Sequence, residues 1–331
     1  MKNIRRYRLQ EAFLCSLEGL FVFTGIEGMI DRSAKGESAK DAVAILGLGK
    51  VGTAVGFFLR GAGYPIAAVA ARSIESVSKG AEFTGGTAFV DYTEAARRGR
   101  IVLITTVDDA IAPVCERITR EGAIDPGKKV VHMSGACGLD VLQPAKRAGA
   151  SVACIHPIQS FADVKNAIEN IPGSSFGVTA DGDSEAWALR IVQDLGGRAF
   201  IIADEDKPLY HAAACMASNY LVTLMHLVEG IYLRIGLSSD DALRAFWPLV
   251  RGTIRNIEAK GTVQSLTGPI SRGDVGTLKK HLAVFNEKIP ELEFLYRTLG
   301  LQAADVGFKK GTLSLERVQE IKTLLTGGRS K

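Results

Sequence analysis

Two polar side chains that could polarise a carbonyl group stand directly after neighbouring predicted strands. Ser134 follows the apolar run 130–133, and His156 follows the run 152–155. In open parallel sheets, ligands bind at the carboxyl ends of the strands, so this placement predicts that both side chains line one crevice. The alternative for either residue taken alone is a turn residue that caps a loop.

A second pair of candidate groups begins a long helical pattern over residues 206–235. Lys207 and His211 are four residues apart and therefore share one face of the helix. Either group could give a proton to an alkoxide that forms when a carbonyl is reduced, and which of them does so stays open. The alternative is a surface lysine and a packed histidine at a helix N-terminus. Asn219, further along the helix, and Gln159, in the loop after the strand, are candidate substrate-binding residues.

A glycine-rich loop connects the first strand pattern to an apolar helix pattern. Residues 47–52 read Gly-Leu-Gly-Lys-Val-Gly. In a dinucleotide-binding loop, Gly47 allows the tight turn, Gly49 lets the backbone approach a pyrophosphate, and Gly52 lets helix and strand pack closely. The helix N-terminus stabilises the anion. The alternative is a tight turn without a ligand. The predicted cofactor-binding residues of this loop are Gly47, Leu48, Gly49, Lys50, Val51 and Gly52.

The residues after the second predicted strand indicate which dinucleotide the loop binds. NAD-binding versions place an acidic residue there, and its carboxylate accepts a hydrogen bond from the ribose 2′-hydroxyl. This chain instead has Ala-Ala-Arg72-Ser73, and a guanidinium with a hydroxyl suits a 2′-phosphate. We therefore expect NADP(H) rather than NAD(H), with a solvated loop arginine as the alternative. Thr106 and Val107, after the fourth predicted strand, complete the predicted cofactor site.

A polar loop punctuated by glycine and proline connects two later helical patterns. Residues 265–274 include Thr267 and Arg272, and His281 follows on the next predicted helix. Polar loops on rigid scaffolds often carry binding residues. We therefore predict that Thr267, Arg272 and His281 bind substrate, with an ordinary helix–helix turn as the alternative.

The elements that must position these groups change character along the chain. From residue 42 onward, short β-branched runs alternate with helical stretches, which predicts an α/β domain with a mostly parallel sheet and helices on both faces. Only helical patterns follow Asp204, over residues 206–235, 239–259, 273–299 and 315–325. We therefore predict a Rossmann-type nucleotide-binding domain over residues 41–204 and an all-helical domain over residues 205–331.

The composition excludes several classes of protein. The chain has 331 residues, a formal net charge of +4 and scattered basic residues, which do not predict nucleic-acid binding. Its five cysteines lack the spacing of a metal site, and most lie in apolar stretches, as buried free thiols in a reducing cytosol do. The sequence contains no uninterrupted run of about 18 apolar residues, so it does not predict a membrane span. We expect a cytoplasmic protein with a small-molecule substrate and no metal, and we expect Trp187 and Trp247 in its cores.

The first 40 residues are predicted to be an extension. Their basic start and the apolar stretch 12–26 are typical of a signal peptide, but glutamates interrupt the pattern and no clear cleavage site follows. Three interpretations stay open: translation that begins at Met29, a peripheral helix, or a targeting segment. We expect residues 1–28 to lie outside the core.

Taken together, the motifs resemble those of Rossmann-like proteins that carry the DUF2520 domain. The resemblance covers roughly residues 41–300. Its motifs are the Gly47 loop, His-x-Ser-Gly after the fifth strand, His156-Pro157, Tyr210-His211-Ala-Ala-Ala, Ser218-Asn219 and, most specific of all, Leu-Thr-Gly-Pro-x-x-Arg-Gly-Asp ending at Asp274. This family is similar to pyrroline-5-carboxylate reductases, coenzyme-F420-dependent NADP oxidoreductases and β-hydroxyacid dehydrogenases.

The resemblance implies an NADP(H)-dependent oxidoreductase that moves a hydride to or from a small 2-keto or hydroxy acid of the ketopantoate type, or an imine. It also implies a helical domain similar to that of 6-phosphogluconate dehydrogenase, and therefore a homodimer. Prephenate and arogenate dehydrogenases have a serine and a His-Pro pair where Ser134 and His156 stand. β-Hydroxyacid dehydrogenases have a catalytic lysine where Lys207 stands, but an asparagine where this chain has His211, which leaves the proton donor open.

Two other functions stay open beside this one. The first is a non-catalytic NADP-binding sensor or regulatory protein, which would not turn over a 2-keto acid with NADPH. The second is an F420-dependent NADP reductase, which would transfer hydride to the deazaflavin. Within the oxidoreductase interpretation, Thr267 and Arg272 would bind the substrate carboxylate.

Overall fold

The computed structural model of this protein describes residues 39–327. These residues divide into two compact units, of which the first ends at Ala214 and the second begins at Cys215. The predicted domain boundary after Asp204 stays a prediction. The interpretations of the first 28 residues, including a start at Met29, lie outside the described residues.

The first unit is built on one sheet of eight strands in the order β3-β2-β1-β4-β5-β6-β7-β8. The strands are β1 (Val43–Leu46), β2 (Ile66–Ala70), β3 (Thr87–Phe89), β4 (Ile101–Ile104), β5 (Lys129–His132), β6 (Ser151–Ile158), β7 (Ser175–Ala180) and β8 (Arg198–Ile201). Neighbouring strands are parallel except β6 and β7, which are antiparallel. The predicted α/β class with a mostly parallel sheet is therefore confirmed.

Helices cover both faces of this sheet. They are α1 (Lys50–Gly61), α2 (Ile74–Thr84), α3 (Tyr92–Arg98), α4 (Asp108–Arg120), α5 (Gln143–Arg147), α6 (Val164–Asn170), α7 (Ser184–Asp194) and α8 (Lys207–Ala217). All four residues of β1 are buried. Ile45 packs in one core with Leu59 of α1, and Leu46 packs in the other with Ile111 of α4. A strand covered on both faces is apolar at every position, which explains the unbroken hydrophobic runs in the sequence.

The second unit is helical in its described residues. Its helices are α9 (Asn219–Arg234), α10 (Ser239–Ser265), α11 (Gly268–Ser271), α12 (Val275–Lys288), α13 (Pro290–Lys309) and α14 (Leu315–Leu325). Leu278, Ala304 and Ile321 are fully buried and lie in its core. None of the described helices is both long enough and apolar enough to cross a membrane.

Three details differ from the sequence-based expectations. The pattern over residues 206–235 is two helices, which are separated at Ser218, the N-cap of α9. The pattern over residues 239–259 is longer in the structure, because α10 breaks at Gly261, at φ 76°, and helical structure resumes after it as far as Ser265. Trp247, expected in a core, is 41% exposed. Each difference concerns packing or a backbone break that helical periodicity does not encode.

Candidate active site and nucleotide loop

The loop after β1 makes a tight turn that only glycine allows at its first position. Gly47 has φ +113°, and a β-carbon there would lie 2.8 Å from backbone atoms of Thr105 and Thr106. The Gly47 amide donates to the carbonyl of Ala70 at 2.8 Å, and its carbonyl accepts from the Thr105 hydroxyl at 2.6 Å. Hydrogen bonds to β2 and to the residue after β4 therefore hold the turn in place.

The other two glycines of the loop have opposite surroundings. A β-carbon on Gly52 would collide with the Gly47 carbonyl oxygen and the Thr105 hydroxyl, whereas one on Gly49 would meet nothing within 4 Å. Gly49 is the N-cap of α1, and no side chain caps the helix there. The first turn of α1 therefore points backbone N–H groups into open space at the positive end of a helix, which suits a pyrophosphate.

The remaining residues predicted to bind the cofactor in this loop differ in how far their side chains are exposed. Leu48 is buried, and its side chain packs against the α-carbon of Gly80 in α2. Val51 packs at the edge of the core. Lys50 is exposed at the first position of α1. The side chains of Leu48 and Val51 thus hold the loop in place, while its backbone and Lys50 face outward.

The residues after β2 present a cation and no acid. Arg72 is exposed, and its charge acts to lower the pKa of Tyr92, which burial raises on balance. The Ser73 hydroxyl accepts from the Ser76 amide at 3.2 Å and so caps α2. Arg72 is therefore available to an anion at this position, whereas the Ser73 hydroxyl already serves the helix.

The end of β4 supplies a buried polar atom that suits a ligand. The Thr106 hydroxyl oxygen is buried and has no hydrogen-bond partner within residues 39–327. Such an atom costs free energy unless a partner arrives. Val107 is 72% exposed beside it, at the N-cap of α4. The residues here thus fit a bound dinucleotide, with the backbone of Gly49, the hydroxyl of Thr106 and the guanidinium of Arg72 as the groups that would hold it.

Ser134 shapes the turn after β5. Its hydroxyl accepts hydrogen bonds from the amides of Ala136, at 3.2 Å, and Cys137, at 3.0 Å. Its own amide donates to Nδ1 of His132 at 3.2 Å, and Nε2 of His132 lies 3.0 Å from the Gly138 carbonyl oxygen. His132 therefore carries its proton on Nε2, and both nitrogens of this buried ring form hydrogen bonds with the backbone of the turn.

His156 is bonded to a tyrosine for which the sequence predicted no role. Its Nδ1 atom lies 2.8 Å from the hydroxyl oxygen of Tyr210. Burial, with smaller effects of His211 and Lys207, lowers the pKa of His156 to about 4. Burial raises the pKa of Tyr210 to about 12. Near neutral pH both groups are therefore uncharged, and a phenol and an imidazole share one hydrogen bond.

Gly135 brings His156 and His211 together. A β-carbon on Gly135 would collide with Nδ1 of His211 and lie 2.8 Å from Nε2 of His156. The two imidazole rings meet edge to face, with centroids 5.6 Å apart. The absence of a side chain at residue 135 therefore lets two imidazoles approach the backbone at the carboxyl end of β5. The predicted roles of Ser134 and His156 stay predictions.

Lys207 is far more buried than a surface lysine. Its exposed fraction is 1%, and its Nζ atom lies 3.0 Å from Sγ of Cys154 and 3.3 Å from the Ser134 carbonyl oxygen. Burial raises the pKa of Cys154 to about 11, against the opposing effect of Lys207. The side chain of Lys207 thus ties α8 to β6 and to the turn after β5. Its assignment as proton donor stays a prediction.

The predicted substrate-binding residues lie apart along the chain. In the first unit, the Gln159 amide donates to the Ser174 hydroxyl at 3.2 Å and its carbonyl accepts from Ser160 at 2.8 Å. In the second unit, Asn219 begins α9, Thr267 precedes α11, Arg272 follows α11, and His281 lies on α12 with Nδ1 2.7 Å from the Tyr296 hydroxyl. All five are exposed. Their roles stay predictions.

The groups missed by sequence reasoning are Tyr210, Cys154, His132 and Gly135. Tyr210 lies three residues after Lys207, so helical spacing alone could have placed it on the same face as that lysine. The partners of Cys154 and His132 are far away in the sequence and carry no local signal. Within residues 39–327, no group of three or more His, Cys, Asp or Glu side chains is arranged to hold a metal ion.

Comparisons with known proteins agree with this architecture. Protein TM1727 from Thermotoga maritima is 26% identical, with a TM-score of 0.64, over 81% of this chain and 99% of that one. A Bacteroides fragilis protein described as an NADP oxidoreductase is 20% identical, with a TM-score of 0.66, over the same shares. Plasmodium falciparum pyrroline carboxylate reductase with NADP bound is 12% identical, with a TM-score of 0.54, over 88% of this chain and 100% of that one.

Family models match both parts of the chain. The model described as "Rossmann-like domain" matches residues 29–157, and the model described as "Domain of unknown function (DUF2520)" matches residues 174–303. Comparison with curated proteins finds no match. The expected resemblance is therefore confirmed: this chain carries a Rossmann-like domain followed by a DUF2520 domain.

Proposed function

We propose that this protein is an NADP(H)-dependent oxidoreductase that transfers a hydride to or from a small 2-keto or hydroxy acid, or an imine. One observation carries the proposal. The carboxyl ends of adjacent parallel strands bear an open glycine loop after β1 and, after β4, a hydroxyl with no partner within residues 39–327. Beside the turn after β5 lie two facing imidazoles, His156 of β6 and His211 of α8. A dinucleotide bound along this edge would reach from Gly49 toward Gly135.

The solved structures support this function without defining a substrate. Several similar folds are described as NADP oxidoreductases or pyrroline carboxylate reductases, and the Aspergillus terreus reductive aminase, with a TM-score of 0.54, is in complex with NADPH. Their identities to this chain, 12–20%, indicate a shared fold. The exposed Arg72 and the absence of an acid after β2 favour NADP(H) over NAD(H).

Side chains of this protein would orient the substrate and transfer the proton. When bound, NADPH supplies the hydride. His156 would donate a hydrogen bond to the reacting group, and the more exposed His211 would manage the proton, because Lys207 is enclosed by Cys154 and Ser134.

The test is a substrate panel with the full chain. Small 2-keto acids and cyclic imines are mixed with NADPH, and the loss of its absorbance is followed. Turnover of at least one compound, with NADPH preferred to NADH, is the expected result. Tight NADPH binding without turnover of any compound would instead identify a sensor. Oxidation of NADPH that requires the deazaflavin F420 would identify the third candidate.

We also propose that a second copy of the chain covers α9 and α10. None of the 16 residues of α9 is buried within one chain. Tyr220, Val222 and Leu249 are 63%, 68% and 69% exposed. A monomeric protein rarely leaves so many large apolar side chains in water, whereas a symmetric dimer covers them with an identical surface. We therefore propose that the partner that covers this surface is the second copy in the homodimer that the family resemblance implies.

A further inference from the structure

We infer that Tyr210 fixes His156 with its Nε2–H directed at the reacting group, and that the site therefore serves a carbonyl oxygen rather than a protonated imine. The inference rests on the proposed function. It follows from the hydrogen bonds around His156 and from the charges that surround it.

The hydrogen bond to Tyr210 determines the tautomer of His156. Burial keeps the Tyr210 phenol in its O–H form, since it raises the pKa of that group to about 12. A phenolic O–H is a stronger hydrogen-bond donor than its oxygen is an acceptor, so it donates to Nδ1 of His156, 2.8 Å away. A neutral imidazole that accepts at Nδ1 carries its proton on Nε2. Tyr210 acts through His156 and is thus a positioning residue.

The protonated nitrogen lies where the substrate would be. Nε2 of His156 and Nδ1 of His211 both lie against the position that a side chain of Gly135 would take, beyond the carboxyl end of β5. Because His156 has a pKa of about 4, it offers this hydrogen as a neutral donor and not as an imidazolium near neutral pH. A neutral imidazole is an effective donor to a carbonyl oxygen on which negative charge develops.

The buried charged side chain beside this site is that of Lys207, whereas Asp204, whose charge also reaches Cys154, is exposed and accepts a hydrogen bond from the Leu139 amide. Lys207 and His211 both act to lower the pKa of His156, and Lys207 does the same to His132. Within the described residues, neither Lys207 nor His156 forms an ion pair with a carboxylate. The potential at the site therefore favours an anion and opposes a cation.

The two candidate reactions differ in the charge they bring to this site. Reduction of a carbonyl adds a hydride to carbon, moves the π-electron pair to oxygen and then takes up one proton, while NADPH becomes NADP⁺. Reduction of a protonated imine starts from a cation, adds the hydride to carbon and leaves a neutral amine. Basic side chains stabilise the alkoxide of the first reaction and destabilise the starting cation of the second, which is why the geometry points to a carbonyl substrate.

The first arm of the test needs no substrate. The chain has five histidines, so the ring nitrogens of ¹⁵N-histidine-labelled protein are few enough to resolve, and His156→Gln identifies the signal. We expect an unprotonated Nδ1 and a protonated Nε2 at pH 7, and a mixture of tautomers in Tyr210→Phe. Tyr64→Phe is the matched control, since that hydroxyl bonds Asp194 at 2.7 Å instead. A proton on Nδ1 in the wild type would overturn the role of Tyr210.

The second arm measures kcat and KM with NADPH for 2-oxo acids and for cyclic imines of matched carbon number. We expect kcat/KM at least about 100-fold higher for the oxo acids, and Tyr210→Phe should lower kcat about 10-fold at an unchanged Kd for NADPH. Preference for the imines overturns the carbonyl assignment. If NADPH does not bind and neither class turns over, the proposed function fails with it, while the tautomer measurement still decides the Tyr210–His156 pair.

Discussion

The Nζ atom of Lys207 lies 3.0 Å from the Sγ atom of Cys154, and each side chain is at most 1% exposed. A lysine buried without a carboxylate is costly, and an apolar side chain of similar volume is often tolerated or stabilising in such a place. We therefore expect Lys207→Met to retain or raise the melting temperature while lowering turnover about 100-fold or more, because it removes a buried basic group that would stabilise an alkoxide. Thermal melts and steady-state kinetics on the same preparation check both halves.

The matched control is Lys128→Met. Lys128 is also buried, and its Nζ donates to the carbonyls of Ala96, at 2.8 Å, and Gly99, at 2.6 Å, away from the candidate active site. Its replacement should lower stability and leave turnover near the wild-type value. A Lys207→Met variant that unfolds readily but turns over normally would assign that lysine to the fold alone.

Two glycines of the nucleotide loop should separate binding from folding. Gly49→Ala adds a methyl group to open space at the N-cap of α1, so we expect an unchanged melting temperature and NADPH affinity lowered about 10-fold or more. Gly52→Ala forces a methyl group onto the Gly47 carbonyl, so we expect a loss of about 2 kcal/mol or more in the free energy of unfolding. Thermal melts and NADPH titrations compare the two variants. Equal NADPH affinity in Gly49→Ala and the wild type would place the pyrophosphate elsewhere.

Arg72 should determine the choice of dinucleotide. A charge-assisted hydrogen bond to a 2′-phosphate contributes about 1.5–3 kcal/mol, so Arg72→Ala should weaken NADPH binding about 10–100-fold and barely alter NADH binding. Fluorescence titration with both dinucleotides measures the difference. Lys79→Ala, which removes an exposed cation paired with Glu75 on α2, is the control for general charge. Similar losses for both dinucleotides would mean that Arg72 contacts another part of the ligand.

The buried ring of His132 should make the protein less stable in acid. Burial, followed by the charge of Lys207, lowers the pKa of His132 to about 3. Between about pH 6.5 and pH 3 the unfolded chain binds a proton that the folded chain excludes. The free energy of unfolding therefore decreases as the pH is lowered. For one such group the loss from pH 7 to pH 5 is about 2 kcal/mol. Urea midpoints should show a smaller pH dependence in His132→Asn, and parallel curves would contradict the assignment.

The apolar face of α9 should determine the oligomeric state. Val222 is 68% exposed, and a carboxylate there would be buried without a partner in a dimer. We expect Val222→Asp to convert a dimer into a monomer in analytical ultracentrifugation, with helix content unchanged. Val90→Asp changes a valine that is 59% exposed in the first unit and should leave the dimer intact. Identical sedimentation of all three proteins would show that α9 is not the interface.

The strands were predictable because their signal is local. The apolar runs at 130–133 and 152–155 begin within one residue of β5 and β6, since strands covered on both faces are apolar runs between turn residues. The break at Ser218 was not predictable in this way, because apolar residues continue at helical spacing on both sides of it. The depth of Lys207 and the bond between Tyr210 and His156 depend on partners more than fifty residues away. Contacts between residues so far apart in the sequence cannot be predicted from local periodicity.

The length of β6 has a consequence for how this site can diversify. β5 ends at His132, which is level with Cys154, whereas β6 continues to Ile158 and pairs with β7 as far as Ser175. His156 therefore stands on a hydrogen-bonded ladder that projects beyond the parallel strands, and not on a loop. The flanking residues 136–137 and 159–163 can accept substitutions that reshape the substrate pocket without displacing the imidazole, whereas Gly135 cannot, because a β-carbon there would collide with His211. A protein built in this way can exchange one substrate for another over evolutionary time and retain its chemistry.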